Sequence, residues 1–307
     1  MQISTSYLFD RASKQMVNIQ NEVAKSQQEI AAQKQVLNPS DAPNQAASIT
    51  RFKSVIARQD TYTNALGQLQ ARLDAESANL TTASDVLVRI KELAIQASNG
   101  TQGTVSRKAI STEMKGLRDQ LLSLANSTDA SGNYIFSGSK VTTKAFTEDA
   151  RGHVQYTGDQ TRMHVAVGEQ RTLPLNRPGT NAFVRVVRTN LDNSEQGIGF
   201  FTAVDDLIDG VNGGITSKMQ RGLTEMDALH SGVVMAQAEV GTDMKVVEQQ
   251  GAVVDDTKLS LKLALSNVED LDMTTAVTNM QKLMLSLEAA QSTFAKTSQM
   301  SLFKFLG

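Results

Sequence analysis

Side chains that could carry out chemistry are few in this 307-residue sequence, which has three histidines and no cysteine. His153, His164 and His230 have no carboxylates around them at the spacing of a zinc site, which needs three or four ligands. The absence of cysteine excludes disulfides, thiolate metal sites and cysteine nucleophiles. We therefore expect ordinary surface or half-buried histidines, no metal site and no cofactor.

Three aspartates, Asp205, Asp206 and Asp209, form an acidic cluster of the kind that can support acid–base catalysis. Asp205 and Asp209 are one helical turn apart, so on a helix they share a face, and a solvated face is the simpler interpretation. The run 192–195 lacks the ligand spacing of an EF-hand loop, and the Gly-Ile-Gly run after it does not continue into a phosphate-binding fingerprint. No serine-hydrolase, zinc-protease or Walker motif is present, so we predict that the protein is not an enzyme.

The charge and hydropathy of the sequence argue against several classes of binding partner. The formal net charge of −2 and the isoelectric point near 6.0 argue against a nucleic-acid or anionic-membrane surface. No stretch approaches the roughly 18 consecutive apolar residues of a spanning helix. Residues 1–20 include Asp10 and Arg11 and lack an apolar core, so we expect no cleavable secretory signal.

Glycine and proline, which interrupt helices, are unevenly placed along the chain. Glycine is absent from 1–66 and 252–306, and the four prolines stand at positions 39, 43, 174 and 178. Half of the aromatic residues fall within 134–201 together with many turn residues, which favours short strands there. This distribution predicts long helices at both ends and a β-rich insert between them.

Both terminal segments carry one apolar stripe at the three- and four-residue spacing of a helix that packs on another helix. We predict that the two helices pair as a coiled coil. The N-terminal stripe comprises Phe9, Ala12, Met16, Ile19, Val23, Ser26, Ile30 and Leu37, and the C-terminal stripe Ala276, Met280, Leu283, Leu287, Ala290, Phe294 and Thr297. One narrow stripe offsets little of the entropy lost on ordering, so we expect these ends to be mobile in the monomer and to order on self-assembly.

The segment Asn38-Pro39-Ser40-Asp41-Ala42-Pro43 predicts a turn after the first helix, and it is our candidate hinge. The residue before each proline is disfavoured in the α conformation, and Ser40 or Asp41 can cap the helix that follows. Apolar periodicity predicts further helices over about 44–98, 105–126, 200–208 and 216–267.

Leucine recurs at every seventh position of the second helix, at Leu66, Leu73, Leu80 and Leu87. The pattern would suit a leucine-zipper dimer, but no basic region adjoins it and the alternate seam positions carry polar or charged side chains. We therefore expect these leucines to pack on returning helices of the same chain.

Five short strands are predicted in the insert, over 134–136, 154–157, 163–167, 171–175 and 183–188. Turn residues at Gly158-Asp159 and Gly168-Glu169 predict hairpins that join the second strand to the third and the third to the fourth.

The predicted fold is mainly α with a β-rich insert (α+β): a long antiparallel helix bundle, terminal helices paired as a coiled coil, and a small outer β domain. We expect three domains. They are a terminal coiled-coil domain over 1–43 and 262–307, a long-helix bundle over 44–133 and 203–261, and an outer β-rich domain over 134–202.

A series of motifs spans the chain. They are Met1-Gln2-Ile3-Ser4-Thr5, the 38–43 turn, Ala97-Ser98-Asn99-Gly100-Thr101, Leu117-Arg118-Asp119-Gln120-Leu121, Gly132-Asn133-Tyr134-Ile135-Phe136-Ser137-Gly138, Tyr156-Thr157-Gly158-Asp159 and Ser301-Leu302-Phe303-Lys304-Phe305-Leu306. In order and spacing they resemble the flagellin family, and within it the proteins of the hook–filament junction. Lys304 stands where the family commonly has Asp or Asn, and Phe305 where it has Tyr.

This resemblance implies a structural protein of the extracellular bacterial flagellum that is exported unfolded by the flagellar type III apparatus. It implies a homo-oligomeric ring with flagellin on the distal side and a proximal hook-associated protein on the other, and an export chaperone that covers the C-terminal helix. The expected assembly interface comprises Met16, Ile19, Val23, Ile30, Met280, Leu283, Leu287, Phe294, Phe303 and Leu306.

Two alternatives stay open. A flagellin filament subunit resembles this chain at both ends but usually lacks the Asn-Pro-Ser-Asp turn and the Tyr-Ile-Phe-Ser-Gly segment. A type III secretion tip or translocator protein shares long antiparallel helices and the export route, but the turn and the Ser-Leu-Phe C-terminus favour the flagellar assignment.

Overall fold

A computed structural model of the chain describes residues 2–100, 102–189 and 195–306, with the side chains of 2–6, 8, 189 and 299–306 outside the description. Most of the described chain is helical. The helices are α1 (Gln2–Ala32), α2 (Pro43–Ser98), α3 (Thr104–Ala125), α4 (Gly179–Ala182), α5 (Phe200–Gly213), α6 (Thr216–Glu269) and α7 (Met273–Leu306). The prediction of a mainly α fold with long helices and a small β portion is confirmed.

The chain divides into two compact units whose boundaries fall inside α2 and α6. The terminal unit consists of Met1–Gln59 and Asp256–Gly307, and the central unit of Asp60–Asp255. The expected boundaries of three separate domains stay a prediction.

In the terminal unit, α1 and α7 pack against each other in antiparallel orientation, with Phe9 of α1 against Phe294 of α7. Near the opposite end of the pair, Lys34, which follows α1, binds Glu269 at the end of α6. The first helix is shorter than predicted, because Gln33 adopts a left-handed conformation (φ 55°) directly after Ala32. Leu37, the last predicted stripe residue, therefore lies outside α1. At the start of α7, Asp272 accepts hydrogen bonds from the backbone N–H groups of Thr274 (3.0 Å) and Thr275 (3.2 Å), as an N-cap residue does.

In the central unit, the leucine repeat of α2 lies inside the core. Leu66, Leu73, Leu80 and Leu87 are all buried, together with residues of α3, α5 and α6. The prediction that these leucines pack within their own chain, rather than in a zipper dimer, is confirmed. Helix α5 ends as predicted in its glycines, because Gly214 is left-handed (φ 65°) and its N–H bonds back to the helix.

Among the described residues of the central unit, six short strands form three separate antiparallel hairpins. They are β1 (Phe146–Glu148) with β2 (Val154–Tyr156), β3 (His164–Ala166) with β4 (Thr172–Pro174), and β5 (Val186–Thr189) with β6 (Glu195–Ile198). The predicted hairpin at Gly168-Glu169 is confirmed by the pairing of β3 with β4, whereas β1 and β6 were not predicted.

The hairpin predicted at Gly158-Asp159 is wrong, because β2 pairs with β1 and not with β3. Asp159 instead anchors its loop to a neighbouring segment. Its carboxylate accepts hydrogen bonds from the Ser139 N–H (2.8 Å) and hydroxyl (2.5 Å) and from the Thr161 N–H (3.0 Å). The Ser139 hydrogen bonds lower the pKa of Asp159 to about 2.

The strand predicted over 134–136 is also wrong. These residues make irregular backbone contacts: the Tyr134 N–H donates to Val141 and the Ile135 N–H to Ser127. Ile135 and Phe136 are fully buried, so the apolar character that suggested a strand reflects burial of a turn. Phe146 lies near the centre of the aromatic cluster around them, with ring centroids 5.2–5.5 Å from those of Tyr156, Phe183 and Phe201.

Arg177, which precedes α4, ties the insert to two long helices. Its guanidinium donates to Glu76 of α2 (3.0 Å) and to Asp243 (2.7 Å) and Glu239 of α6. The side chains of Arg177 and Glu76 are only 6% and 3% exposed. Burial raises the pKa of Glu76, while Arg177 opposes that shift. The ionised form of Glu76 is therefore stabilised by its pairing with Arg177.

Replacing Arg177 with Met should lower the free energy of unfolding by about 3–5 kcal/mol, because Glu76 would remain buried without a cation. Urea unfolding followed by circular dichroism measures the loss. Arg89→Met is the matched control, since Arg89 pairs with Glu113 at 2.8 Å on the surface and exposed pairs contribute little. Equal losses in the two variants would contradict the role given to Arg177.

Candidate functional site: the paired terminal helices

The histidines singled out from the sequence lie in ordinary polar surroundings among the described residues. Among them no cluster of three or more His, Asp or Glu side chains could hold a metal ion. His153 is exposed beside Asp149, and His164 is exposed in β3. His230 Nε2 lies 3.0 Å from the Ser84 hydroxyl in a single polar contact. No helix within the described residues is long and apolar enough to span a membrane.

The acidic cluster of α5 forms ion pairs. Asp205 binds Arg118 (3.0 Å), and Asp206 binds Arg188 (2.6 Å). The expected solvated face is therefore wrong for Asp205, which is one-third exposed, whereas Asp209 on the same face is exposed. Burial raises the pKa of Asp205, while Arg118 opposes that shift. Residues 192–194 of the acidic run lie outside the described residues, and Glu195 begins β6.

The remaining candidate site is the seam between α1 and α7, where the structure places the predicted interface residues. Eight of them are half-buried among exposed neighbours: Met16, Ile19, Val23, Ile30, Met280, Leu283, Leu287 and Phe294. Three- and four-residue spacing puts each set on one helix face, and the two faces meet in the antiparallel pair. Phe303 and Leu306 fall in the backbone of α7, but their side chains lie outside the described residues.

The seam is incompletely filled near Phe9 and Phe294. The two rings meet edge to face, with centroids 5.2 Å apart. A cleft of about 360 Å³ opens beside them, lined by apolar groups of both helices that include Met16 and Ala290. Within the described parts of α1 and α7, only Ala276 is buried, at 8% exposure. The pair by itself therefore encloses much less apolar surface than the core of the central unit does.

A second set of apolar side chains on the same unit points away from the seam. Leu285 is 69% and Tyr7 67% exposed, and Val17, Leu259, Leu263, Met273 and Met284 are exposed as well. The apolar spacing in the sequence indicated essentially one stripe per terminal helix and did not predict this second set. The signal was available in the adjacent apolar residues 16–17 and 283–285, because consecutive residues cannot share one narrow helix face.

The turn between α1 and α2 is short and internally hydrogen-bonded. The Asn38 N–H donates to the Asp41 carboxylate (3.2 Å), the Asp41 N–H donates to the Asn38 carbonyl (3.0 Å), and Pro43 is the first residue of α2. These contacts hold the chain in a turn that leads into α2, some residues after α1 has ended at Ala32.

A buried carboxylate brackets this turn. Glu269 at the end of α6 binds Lys34 (2.6 Å), which precedes the turn, and Lys53 (2.8 Å), which follows it. Although burial acts in the opposite direction, the hydrogen bonds from Lys34 and Lys53 lower the pKa of Glu269. No sequence pattern predicted this clamp, because Glu269 is distant in sequence from both lysines.

Comparison with known proteins gives the class to which this architecture belongs. The pattern of the bacterial flagellin N-terminal helical region matches residues 3–141, and that of the bacterial flagellin C-terminal helical region matches residues 223–306. The chain belongs to the flagellin family.

Comparison with individual relatives shows which members of the family this chain resembles over its full length. Flagellar hook-associated protein 3 of Salmonella typhimurium is 26% identical over 317 aligned residues, covering 99% of both chains, and its Escherichia coli counterpart is also 26% identical with the same coverage. Flagellin B of Vibrio cholerae is 38% identical, but over 18% of this chain. The predicted resemblance to a junction protein of the flagellin family is confirmed.

Solved structures agree in fold. A flagellar hook-associated protein from Vibrio parahaemolyticus has a TM-score of 0.66 at 19% identity, covering 75% of this chain and all of its own. Hook-associated protein 3 of Legionella pneumophila has a TM-score of 0.65 at 18% identity, covering 72% and 98%. These relatives are structural proteins of the extracellular flagellum, and this chain is a flagellar structural protein of the same kind.

Proposed function

We propose that this chain is a non-enzymatic subunit of the junction between the flagellar hook and filament, and that it assembles into a ring through its paired terminal helices. The observation that carries the proposal is the antiparallel α1–α7 pair with a half-buried seam and a second, exposed apolar set. The full-length similarity to hook-associated protein 3 supports the location.

The two apolar sets have different tasks in this proposal. The seam holds α1 against α7 within one subunit. The exposed set provides contact area for neighbouring copies, because a soluble unit with so many large apolar side chains in water gains free energy when a partner covers them. Assembly therefore depends on residues on both sides of α7.

Leu285 and Leu287 separate these tasks, because they are two leucines of α7, one 69% exposed and one facing the seam. Leu287→Asp should disrupt the pairing and block incorporation, since it introduces a charge at the seam. Leu285→Asp should preserve the helicity of the isolated chain and still impair incorporation. Circular dichroism measures the helicity of the isolated chain. Fractionation of sheared flagella from complemented cells measures incorporation.

Normal swimming with Leu287→Asp would contradict the role of the seam. Normal incorporation of Leu285→Asp would contradict the role of the exposed set while leaving the pairing intact. In both variants the central unit should stay folded, because neither leucine belongs to it.

The partners follow from position in the flagellum. Flagellin lies on the distal side of the ring and a proximal hook-associated protein on the other, while the flagellar type III apparatus exports the unfolded chain. Before export, a chaperone covers the α7 seam residues Met280, Leu283, Leu287 and Phe294, whose spacing suits an amphipathic helix in a groove.

A filament subunit is the second candidate function, because both matched family patterns are named for flagellin. Electron microscopy of a deletion strain separates the two. The junction role requires hooks without filaments and flagellin shed into the medium. Normal hooks and filaments would contradict it, and filaments lost despite intact junctions would favour the flagellin role.

The 38–43 turn serves in this proposal as a hinge that lets subunits accommodate different neighbours above and below. The Glu269 clamp limits that freedom, because it holds Lys34 and Lys53 on either side of the turn. Bending at the turn requires at least one of these ion pairs to lengthen.

Replacing both Pro39 and Pro43 with Ala should impair swimming, because the two helices could then merge into a continuous one. Soft-agar motility and electron microscopy check this outcome. Pro174→Ala, in β4, is a control outside the terminal unit and should swim normally. Normal assembly and swimming of the double variant would remove the basis for the hinge.

A further inference from the structure

The sequence contains two Asn-Gly pairs, Asn99-Gly100 and Asn212-Gly213, and the structure places them in different surroundings. Asparagine followed by glycine is chemically labile when the backbone is free, because the glycine amide nitrogen can attack the side-chain carbonyl carbon without steric hindrance. The reaction requires a backbone geometry that a regular helix does not permit. The reactivity of the two Asn-Gly pairs can therefore be compared within the same chain.

Asn99-Gly100 follows directly on the end of α2, and both residues are exposed. The Asn99 N–H makes a long hydrogen bond to Gln96 (3.4 Å), and its carbonyl accepts from the Gln102 N–H (3.0 Å). Among the described residues, no backbone hydrogen bond from the Gly100 N–H occurs. A Cβ added at Gly100 would meet nothing within 4 Å, so the space beside the Gly100 Cα is open.

Asn212-Gly213 lies within the last turn of α5. In a helix the N–H of Gly213 points toward the carbonyl four residues earlier and away from the preceding side chain. The helical end is further fixed by Gly214, whose N–H donates to Val211 (3.2 Å), and by Ile215, whose N–H donates to Gly210 (2.9 Å). The attacking nitrogen is therefore held out of position.

We propose that Asn99 is a site of spontaneous deamidation in the folded protein. The Gly100 backbone nitrogen forms a bond to Asn99 Cγ, the Cγ–Nδ2 bond breaks, and ammonia leaves with the proton from the Gly100 amide. Water then opens the resulting five-membered imide at either carbonyl, which gives aspartate or β-linked isoaspartate at position 99. The co-reactant is water, and no oxidation or reduction takes place.

The product changes the turn that joins α2 to α3. Either product adds a negative charge at the C-terminal end of α2, where the helix dipole disfavours it. The β-linked product also lengthens the backbone of the Asn99–Gln102 turn. Gln102 accepts a hydrogen bond from Arg107 (2.7 Å), and the N-cap Gly103 offers α3 no side-chain cap. A changed turn is therefore expected to loosen the first turn of α3.

The test incubates the purified full-length chain in warm, mildly alkaline buffer and quantifies each product by peptide mapping and isoaspartyl-specific enzymatic methylation. Asn99 should convert roughly tenfold or more faster than Asn212, since only its backbone can reach the reactive geometry. In concentrated urea the two rates should become similar, because the local sequences are alike. Hydrogen exchange in the first turn of α3 should accelerate as product accumulates.

Gly100→Ala is the decisive variant, because Gly100 has no left-handed φ and open space for a methyl group. It should slow conversion of Asn99 at least about tenfold with an unchanged urea midpoint, since the methyl group hinders attack. Gly213→Ala is the matched control and should leave the Asn99 rate unchanged. Equal rates at Asn99 and Asn212 in the folded chain, or an undiminished Asn99 rate in Gly100→Ala, would overturn the proposal.

Discussion

In the proposed junction role, assembly depends on the pairing of α1 with α7 along one half-buried apolar seam. It brings the two ends of the chain together and leaves a second apolar set in water, with Leu285 and Tyr7 the most exposed of the described residues in that set. A seam of this width encloses little apolar surface for two helices of more than thirty residues each. In the proposed assembly, the terminal unit would therefore gain stability from neighbouring copies.

The central unit, in contrast, buries most of its large apolar side chains within one copy of the chain. The leucines of α2 are almost completely buried, and an aromatic cluster around Phe146 fills the space next to α5. Largely buried arginines bind carboxylates of three helices: Arg118 binds Asp205 of α5, Arg177 binds Glu76 of α2, and Arg188 binds Glu225 of α6. These contacts lie within one copy and need no partner. Under the proposed function, the chain would fold its central unit alone after export and complete its terminal unit on assembly.

Sequence patterns were sufficient for the helices and the seam, because both depend on residue spacing along one element. The stripes containing Met16 and Leu287, the heptad leucines and the 38–43 turn all lie where spacing and proline geometry placed them. Strand pairing was harder, because the partner of β2 is chosen by contacts such as those of Asp159 with Ser139, which join distant segments. The Glu269 clamp and the Arg177 cluster were inaccessible for the same reason, since charged residues carry no periodic signal that identifies their partners.

The central claim is that α1 and α7 gain most of their stability from neighbouring copies. Hydrogen exchange on dilute monomer and on assembled junctions measures this directly. The account predicts weak protection within 7–32 and 273–298 in the monomer, strong protection within 60–255, and strong protection of all three segments after assembly. Strong protection of α1 and α7 in the dilute monomer would contradict it.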